Sequence, residues 1–165
     1  MGKPAKTRDG EPLIRPICRN RRATFDYDVL DSIECGVVLV GTEVKTLRDG
    51  HASLENSYAS VDNNGELWLL GCEIPEYAFG NRQNHEPKRQ RKLLLRRREI
   101  AKFAESADQR GFTLIPLRLY FKGGLVKVEV AVGKGKQVHD KRQSVKAAEA
   151  KRDIAREMSQ RRRRD

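Results

Sequence analysis

The reactive side chains of this 165-residue chain suggest two kinds of chemistry, catalysis and binding. The consecutive residues His139, Asp140 and Lys141 could act as the acid–base groups of a nuclease. General acid–base catalysis, however, needs groups that converge from different parts of the fold onto one proton. The sequence contains no P-loop, no HExxH zinc motif, no CxxC pair and no G-x-S-x-G elbow. We therefore predict that the chain is not an enzyme and that it needs neither a metal nor another cofactor.

Aromatic and cationic side chains interleave along segments that we expect to be exposed, which favours a binding function. These residues are Arg22, Tyr27, Tyr77, Arg82, Tyr120 and Lys122. Unpaired RNA bases stack on aromatic rings, while lysine and arginine neutralise the phosphate backbone. This combination predicts a surface that holds single-stranded or loop RNA.

The distribution of charge divides the chain into a mildly basic body and a strongly basic tail. Residues 134–165 carry 12 lysines and arginines against 5 acidic residues, whereas the preceding 133 residues carry 22 against 18. The net charge of +11 indicates a polyanionic partner. The tail has too few large apolar residues for a membrane-surface helix, so we favour nucleic acid over an anionic membrane. A tail of this composition is expected to be disordered alone and helical on a polyanion, unless it is only a solubilising extension.

The predicted organisation is a flexible arm over residues 1–18, a body over 19–133 and a basic tail over 134–165. The N-terminus lacks the apolar region of a signal peptide, and no apolar run approaches the length of a membrane span. We therefore expect a cytoplasmic protein. The three cysteines are widely spaced and form neither a metal motif nor a disulfide framework.

The body reads as short strands joined by tight turns, with two helical regions. Strands are predicted over Thr24–Leu30, Ile33–Val40, Ser57–Val61, Glu66–Cys72, Phe112–Phe121 and Leu125–Val132, with an edge or a bulge at Pro116. One helix should begin at Gly41–Glu43, with Thr42 as its N-cap, and end at Arg48–Gly50. A second should run from the basic segment Lys88–Arg98 until Gly111, with a break near Leu95–Arg96. About six strands with hairpin connections predict a mainly β fold, an OB-like antiparallel barrel with two or three flanking helices.

Six segments, in order, resemble the small protein B (SmpB) family, the partners of transfer-messenger RNA in bacterial ribosome rescue. They are NRRATFDY (20–27), GTEVKTLRDG (41–50), SLENSY (53–58), NHEPKRQRKLLL (84–95), PLRLYFK (116–122) and KGKQVHDKR (134–142). The resemblance implies an OB-fold barrel that binds the tRNA-like part of transfer-messenger RNA. It also implies delivery of that RNA, alanylated and with elongation factor Tu, to stalled ribosomes, where the tail enters the empty mRNA channel.

The resemblance also carries site residues over by position. The expected transfer-messenger RNA contacts are Asn20, Arg21, Arg22, Tyr27, Glu34, Leu94, Arg96 and Lys127. The expected contacts with the ribosomal decoding centre are Gly135, His139, Asp140, Lys141 and Arg142. Glu34 should point away from the core, and since phosphate would repel its carboxylate, it should bond to a base edge or to a neighbouring cation.

Two other readings remain open at this point. The chain could be a generic OB-fold RNA-binding or ribosome-associated protein without a dedicated RNA partner. It could also be a small RNA-cleaving enzyme that uses His139.

Overall fold

The computed structural model describes residues 12–80, 82, 84–108, 111–137 and 158. The strands are β1 (Ile14–Arg19), β2 (Tyr27–Val37), β3 (Tyr58–Val61), β4 (Leu67–Leu70), β5 (Arg91–Leu94), β6 (Phe112–Lys122) and β7 (Leu125–Gly135). The helices are α1 (Ala23–Asp26), α2 (Gly41–Arg48) and α3 (Arg97–Ala107). In this part of the chain, no helix has the length and apolar character needed to cross a membrane.

A single antiparallel sheet contains all seven of these strands, in the order β1-β6-β3-β4-β5-β2-β7. Strand β7 also pairs with β6, so six strands close into a ring. Strand β1 lies outside this ring and pairs with residues 118–122 of β6, beyond the point where β3 pairs with Leu114. The predicted OB-like antiparallel fold with flanking helices is confirmed in this closed sheet.

The core lies inside the ring and is covered by two of the helices. Along β7, Val126, Val128, Val130 and Val132 are buried, as their spacing of two in the sequence predicts. Leu47 of α2 and both Ile100 and Phe103 of α3 join the same buried cluster. Because alternate residues of a strand point to opposite faces, the residues between the valines are left on the outer face of the ring.

The first two predicted strands are in fact one short helix and one long strand. Asn20 is buried, and its side-chain oxygen accepts a hydrogen bond from the backbone N–H of Ala23 at 3.0 Å, which starts the helical turn α1. Strand β2 then continues through residues 30–32, where we had expected a break. A bulge between Val29 and Asp31 takes up the extra residue while pairing with β7 continues on both sides.

The basic segment before α3 is a strand, so the helix predicted from residue 88 begins only at Arg97. Arg91 and Leu93 are both buried, whereas Leu94 is exposed, and this alternation is that of a strand. Strand β5 pairs with β4 on one side and with β2 on the other. The pairing partners are distant in sequence, so helix propensity was overridden by tertiary contacts.

Three predicted boundaries also need correction. The flexible arm cannot extend to residue 18, because β1 begins at Ile14. The body does not end at residue 133, because β7 continues to Gly135, which pairs with Tyr27. Thr42 is not the N-cap of α2, which is Val40; the backbone N–H of Val40 donates to Glu43 Oε2 at 2.8 Å.

At Pro116, the bulge alternative is confirmed, because the β6–β7 register shifts there.

Replacing Gly71 with alanine should destabilise the fold more than the same change at Gly124. Both glycines have positive φ, +69° and +85°, which costs an alanine about 1–2 kcal/mol. A Cβ at Gly71 would lie only 2.8 Å from the backbone oxygen of Asn56, whereas one at Gly124 meets no atom within 4 Å. In urea denaturation, both variants should lose unfolding free energy through the positive φ. The additional loss in the Gly71 variant is then the cost of the clash. Equal losses of unfolding free energy would show that the chain relieves the clash without penalty.

Candidate nucleic-acid interface

The carboxylate of Glu34 lies at the centre of a polar cluster on the outer face of the ring. It accepts a hydrogen bond from the hydroxyl of Tyr120 at 2.6 Å and another from Lys122 Nζ at 2.9 Å. Lys127 Nζ lies 3.9 Å from the other carboxylate oxygen. The three partners come from β6 and β7, and the cluster can form because β2, β7 and β6 are neighbours in the sheet. The predicted outward orientation of Glu34 is confirmed.

The contacts of Glu34 keep it ionised. Burial acts to raise the pKa of Glu34, but the hydrogen bonds from Tyr120 and Lys122 and the charges of both lysines outweigh it, so the pKa is lowered. Burial and the bond to Glu34 raise the pKa of Tyr120 above its ordinary value. Tyr120 therefore remains a neutral donor, and the cluster holds one carboxylate and two ammonium groups in a fixed arrangement.

Acidification should remove the stabilising contribution of Glu34. A carboxyl group with a lowered folded-state pKa stabilises the fold above its unfolded pKa of about 4.3 and loses this contribution as the pH falls through the folded value. Between about pH 5 and pH 3, melting temperatures of a Glu34→Gln variant should therefore fall less steeply than those of the wild type. The measurement is thermal denaturation followed by circular dichroism. Parallel curves would mean that the lysine and tyrosine contacts do not stabilise the fold.

An apolar residue and further cations extend the cluster across the sheet. Leu94 of β5 is 52% exposed and pairs with Gly36, which in turn pairs with Lys127. A Cβ at Gly36 would approach Leu94 Cβ to 3.2 Å, so glycine allows Leu94 to lie over β2. On the other side, the Arg118 guanidinium is 5.0 Å from the centre of the Tyr120 ring and bonds to Glu129. The surface thus offers an exposed leucine beside a row of cations.

The candidates near the N-terminus form a second group on the same face. Asn20 is buried and donates to the backbone oxygens of Leu54 and Pro116 at 3.1 and 3.2 Å. Its contacts are therefore internal, and they position the exposed Arg21 and Arg22 at the start of α1. Tyr27 packs on a small cluster that comprises Ala23, Ile115 and Ala131. Ala131 lies four residues beyond Lys127 on the same side of β7, about 13 Å along the strand.

Of the remaining predicted site residues, two lie in the described part of the chain and four lie outside it. Arg96 is exposed and precedes α3, where its backbone N–H donates to Glu99 Oε2 at 2.9 Å. Gly135 ends β7. His139, Asp140, Lys141 and Arg142 lie outside the described residues. None of these observations tests RNA or ribosome contact, so the assigned roles stay predictions.

Family resemblance did not identify Tyr120, Lys122 and Arg118 as members of the Glu34 cluster. Tyr120 and Lys122 did stand out as an aromatic and a cation close together in a predicted strand. Positions 118, 120 and 122 alternate along β6, so they share one face. This period-two pattern was the available signal, but it could not show which face of β6 meets Glu34.

The chain is similar along most of its length to known proteins of one family. The family model described as "SmpB protein" matches residues 17–160. An SsrA-binding protein of Mesorhizobium japonicum is 48% identical over 94% of this chain and 98% of its own length. One from Bifidobacterium adolescentis is 51% identical, covering 90% and 93%. A solved structure described as "tmRNA-SmpB: a journey to the center of the bacterial ribosome" is 40% identical, with a TM-score of 0.64, and covers 74% of this chain and 86% of the other.

Proposed function

The chain belongs to the SmpB protein family, and we propose that it is an RNA-binding adaptor for transfer-messenger RNA in trans-translation. It binds the tRNA-like domain of this RNA and helps deliver it, alanylated and with elongation factor Tu, to stalled ribosomes in the cytoplasm. The single observation that carries the proposal is the Glu34 cluster, which presents ordered cations beside the exposed Leu94. SsrA-binding relatives that align along nearly the whole chain support the same partner.

In this proposal, the residues of the surface have different roles in binding RNA. Lys122 and Lys127 neutralise backbone phosphates, and Leu94 gives an apolar contact for a base or a sugar. Arg21 and Arg22 extend the contact along the same face. The carboxylate of Glu34 acts as a positioning group, because it already accepts bonds from Tyr120 and Lys122. Of its two expected roles, bonding to a neighbouring cation is the one that these contacts favour.

The tail supplies the ribosomal half of the proposed activity. Residues 138–165 are strongly basic, and we assign them to the empty mRNA channel, where they become helical. Gly135, His139, Asp140, Lys141 and Arg142 then lie at the decoding centre, with His139 stacked on a ribosomal base. In this proposal His139 binds RNA and catalyses no reaction; loss of an RNA-cleaving activity on substitution of His139 with alanine would favour the enzyme alternative.

Deleting residues 138–165 should abolish ribosome rescue but leave the fold and the affinity for the tRNA-like domain largely unchanged. The truncation is placed after Gln137 because residues up to Lys136 belong to the body: the backbone N–H of Lys136 donates to the Asp26 oxygen at 2.9 Å. The measurements are thermal denaturation, binding of the tRNA-like domain and peptide tagging on stalled ribosomes.

A full-length variant in which the four arginines 161–164 are replaced by glutamine is a useful control, because it lowers the charge without removing the tail. We expect this control to keep more rescue activity than the truncation. A truncated protein that unfolds, or that rescues ribosomes normally, would contradict the separation of body and tail.

A further inference from the structure

A second aromatic and cationic cluster lies on the long loop between β4 and β5, which the Glu34 surface does not use. The rings of Tyr77 and Phe79 meet edge to face, with centroids 5.6 Å apart. Lys45 Nζ, from α2, lies 5.1 Å from the centre of the Tyr77 ring. Phe79 is 82% exposed, the largest exposed fraction among the large apolar residues that the structure describes. We call these three residues the loop cluster.

The described part of the loop that carries this cluster has contacts at Tyr77, Asn84 and His85. The side chain of Asn84 bonds to both the N–H and the oxygen of Tyr77, at 3.1 and 2.8 Å. The ring nitrogens of the buried His85 lie 2.9 Å from Thr42 Oγ1 and 3.0 Å from the Ile74 oxygen. A loop with these contacts could place an aromatic ring in the interior. It instead leaves the ring of Phe79 in water, where an apolar surface is stabilising only when a partner covers it.

The chemistry around Phe79 indicates what that partner is. We propose that the loop cluster is a stacking site for an unpaired RNA base, separate from the Glu34 surface. An exposed ring offers a face to any nucleobase, and nearby cations attract the phosphates that accompany it. Lys45 supplies positive charge at the Tyr77 ring, and the exposed Arg82 follows Phe79 by three positions in the chain, as Glu76 precedes it by three. An apolar protein segment would instead require a groove lined by several apolar side chains, whereas the groove beside Lys45 and Asn84 has one aliphatic side chain, that of Val40.

The loop cluster is distinct from the Glu34 surface, because the two share no residue and lie on different elements. Strand β2 ends three residues beyond Glu34, at Val37, and α2, which carries Lys45, begins at Gly41. The body would therefore contact RNA at two places at once. One contact is with the proposed tRNA-like domain, and the other is with an unpaired nucleotide of the same RNA or of the ribosome.

The test uses the full-length protein and a 4-thiouridine-labelled oligouridine of about ten nucleotides, a length within the site sizes of small RNA-binding folds. Binding is measured at about 0.15 M salt, with the tRNA-like domain present in excess to occupy the Glu34 surface. Photo-crosslinks are then mapped on the protein. The variants are Phe79→Leu, which keeps the apolar volume, and Phe79→Trp, which keeps the ring. Because Phe79 is exposed, both variants should fold normally, and Glu34→Ala controls for the other surface.

We expect the wild type and Phe79→Trp to crosslink at Tyr77 or at position 79, and Phe79→Leu to lose this crosslink and bind about fivefold or more weakly. Glu34→Ala should keep the crosslink, so that failure at one surface is distinguishable from failure at the other. Unchanged affinity and crosslinking in Phe79→Leu would overturn the stacking proposal. Crosslinks confined to the tail and to the Glu34 surface would overturn it equally.

Discussion

Replacing Arg91 with methionine should lower the free energy of unfolding by about 3–5 kcal/mol, the cost of removing one partner of a buried ion pair. Arg91 and Glu43 are both fully buried, and Arg91 Nε donates to Glu43 Oε1 at 2.8 Å. The guanidinium also donates to the backbone oxygens of Cys72, Pro87 and Arg89, so the substitution removes four hydrogen bonds together. Urea denaturation followed by circular dichroism measures the loss.

Lys92→Met is the matched control for this substitution. Lys92 is the next residue of the same strand, but its ion pair with Glu66 is over a third exposed on both sides. Exposed pairs contribute about 0–1 kcal/mol, so this variant should lose little stability. Similar losses in the two variants would contradict the assignment of Arg91 as a structural residue that joins the long loop to α2.

Replacing Glu34 with alanine should weaken binding of the tRNA-like domain by about 10- to 100-fold, the range expected when charge-assisted hydrogen bonds of about 1.5–3 kcal/mol are lost. Electrostatic repulsion alone predicts tighter binding, because the change removes a negative charge from a surface that meets phosphate. We expect weaker binding because Lys122 and Tyr120 lose the acceptor that holds them. Titration of labelled tRNA-like domain at constant ionic strength gives the dissociation constants.

Glu66→Ala controls for the loss of a carboxylate that is paired with a lysine elsewhere. Glu66 bonds to Lys92 and is not a partner of the residues that hold Glu34, so its removal should leave the affinity unchanged or slightly higher. Tyr120→Phe should reproduce part of the loss caused by Glu34→Ala. Tighter RNA binding by Glu34→Ala would show that the carboxylate only repels the ligand.

Local sequence patterns were enough to predict the parts of the fold that depend on neighbours in the chain. The turn Asp62–Gly65 between two apolar runs predicted the β3–β4 hairpin, and alternating valines predicted β7. In α3, the spacing of Ile100 and Phe103 predicted the buried face. Each of these signals lies within a few residues, where the periodicity of the backbone decides which side chains are buried.

Long-range pairing decided the features that the sequence did not reveal. Arg91 lies in the segment Lys88–Arg98, which has seven basic residues and no acidic one, a composition typical of an exposed segment. It is buried because Glu43, 48 positions away, lies opposite it. Similarly, nothing local shows that Glu34 meets Tyr120, which is 86 positions away. The family resemblance identified Glu34 as a site residue, but only the register of the sheet shows which cations it holds.

Competition for the Glu34 surface tests the central claim most directly. Labelled tRNA-like domain of transfer-messenger RNA is bound to the full-length protein at about 0.15 M salt, where screening suppresses loose charge attraction, and is challenged with a large excess of elongator tRNA. The proposed adaptor should keep its labelled RNA. Displacement by elongator tRNA at equal affinity would contradict a dedicated partner and would identify the chain as a generic RNA-binding protein.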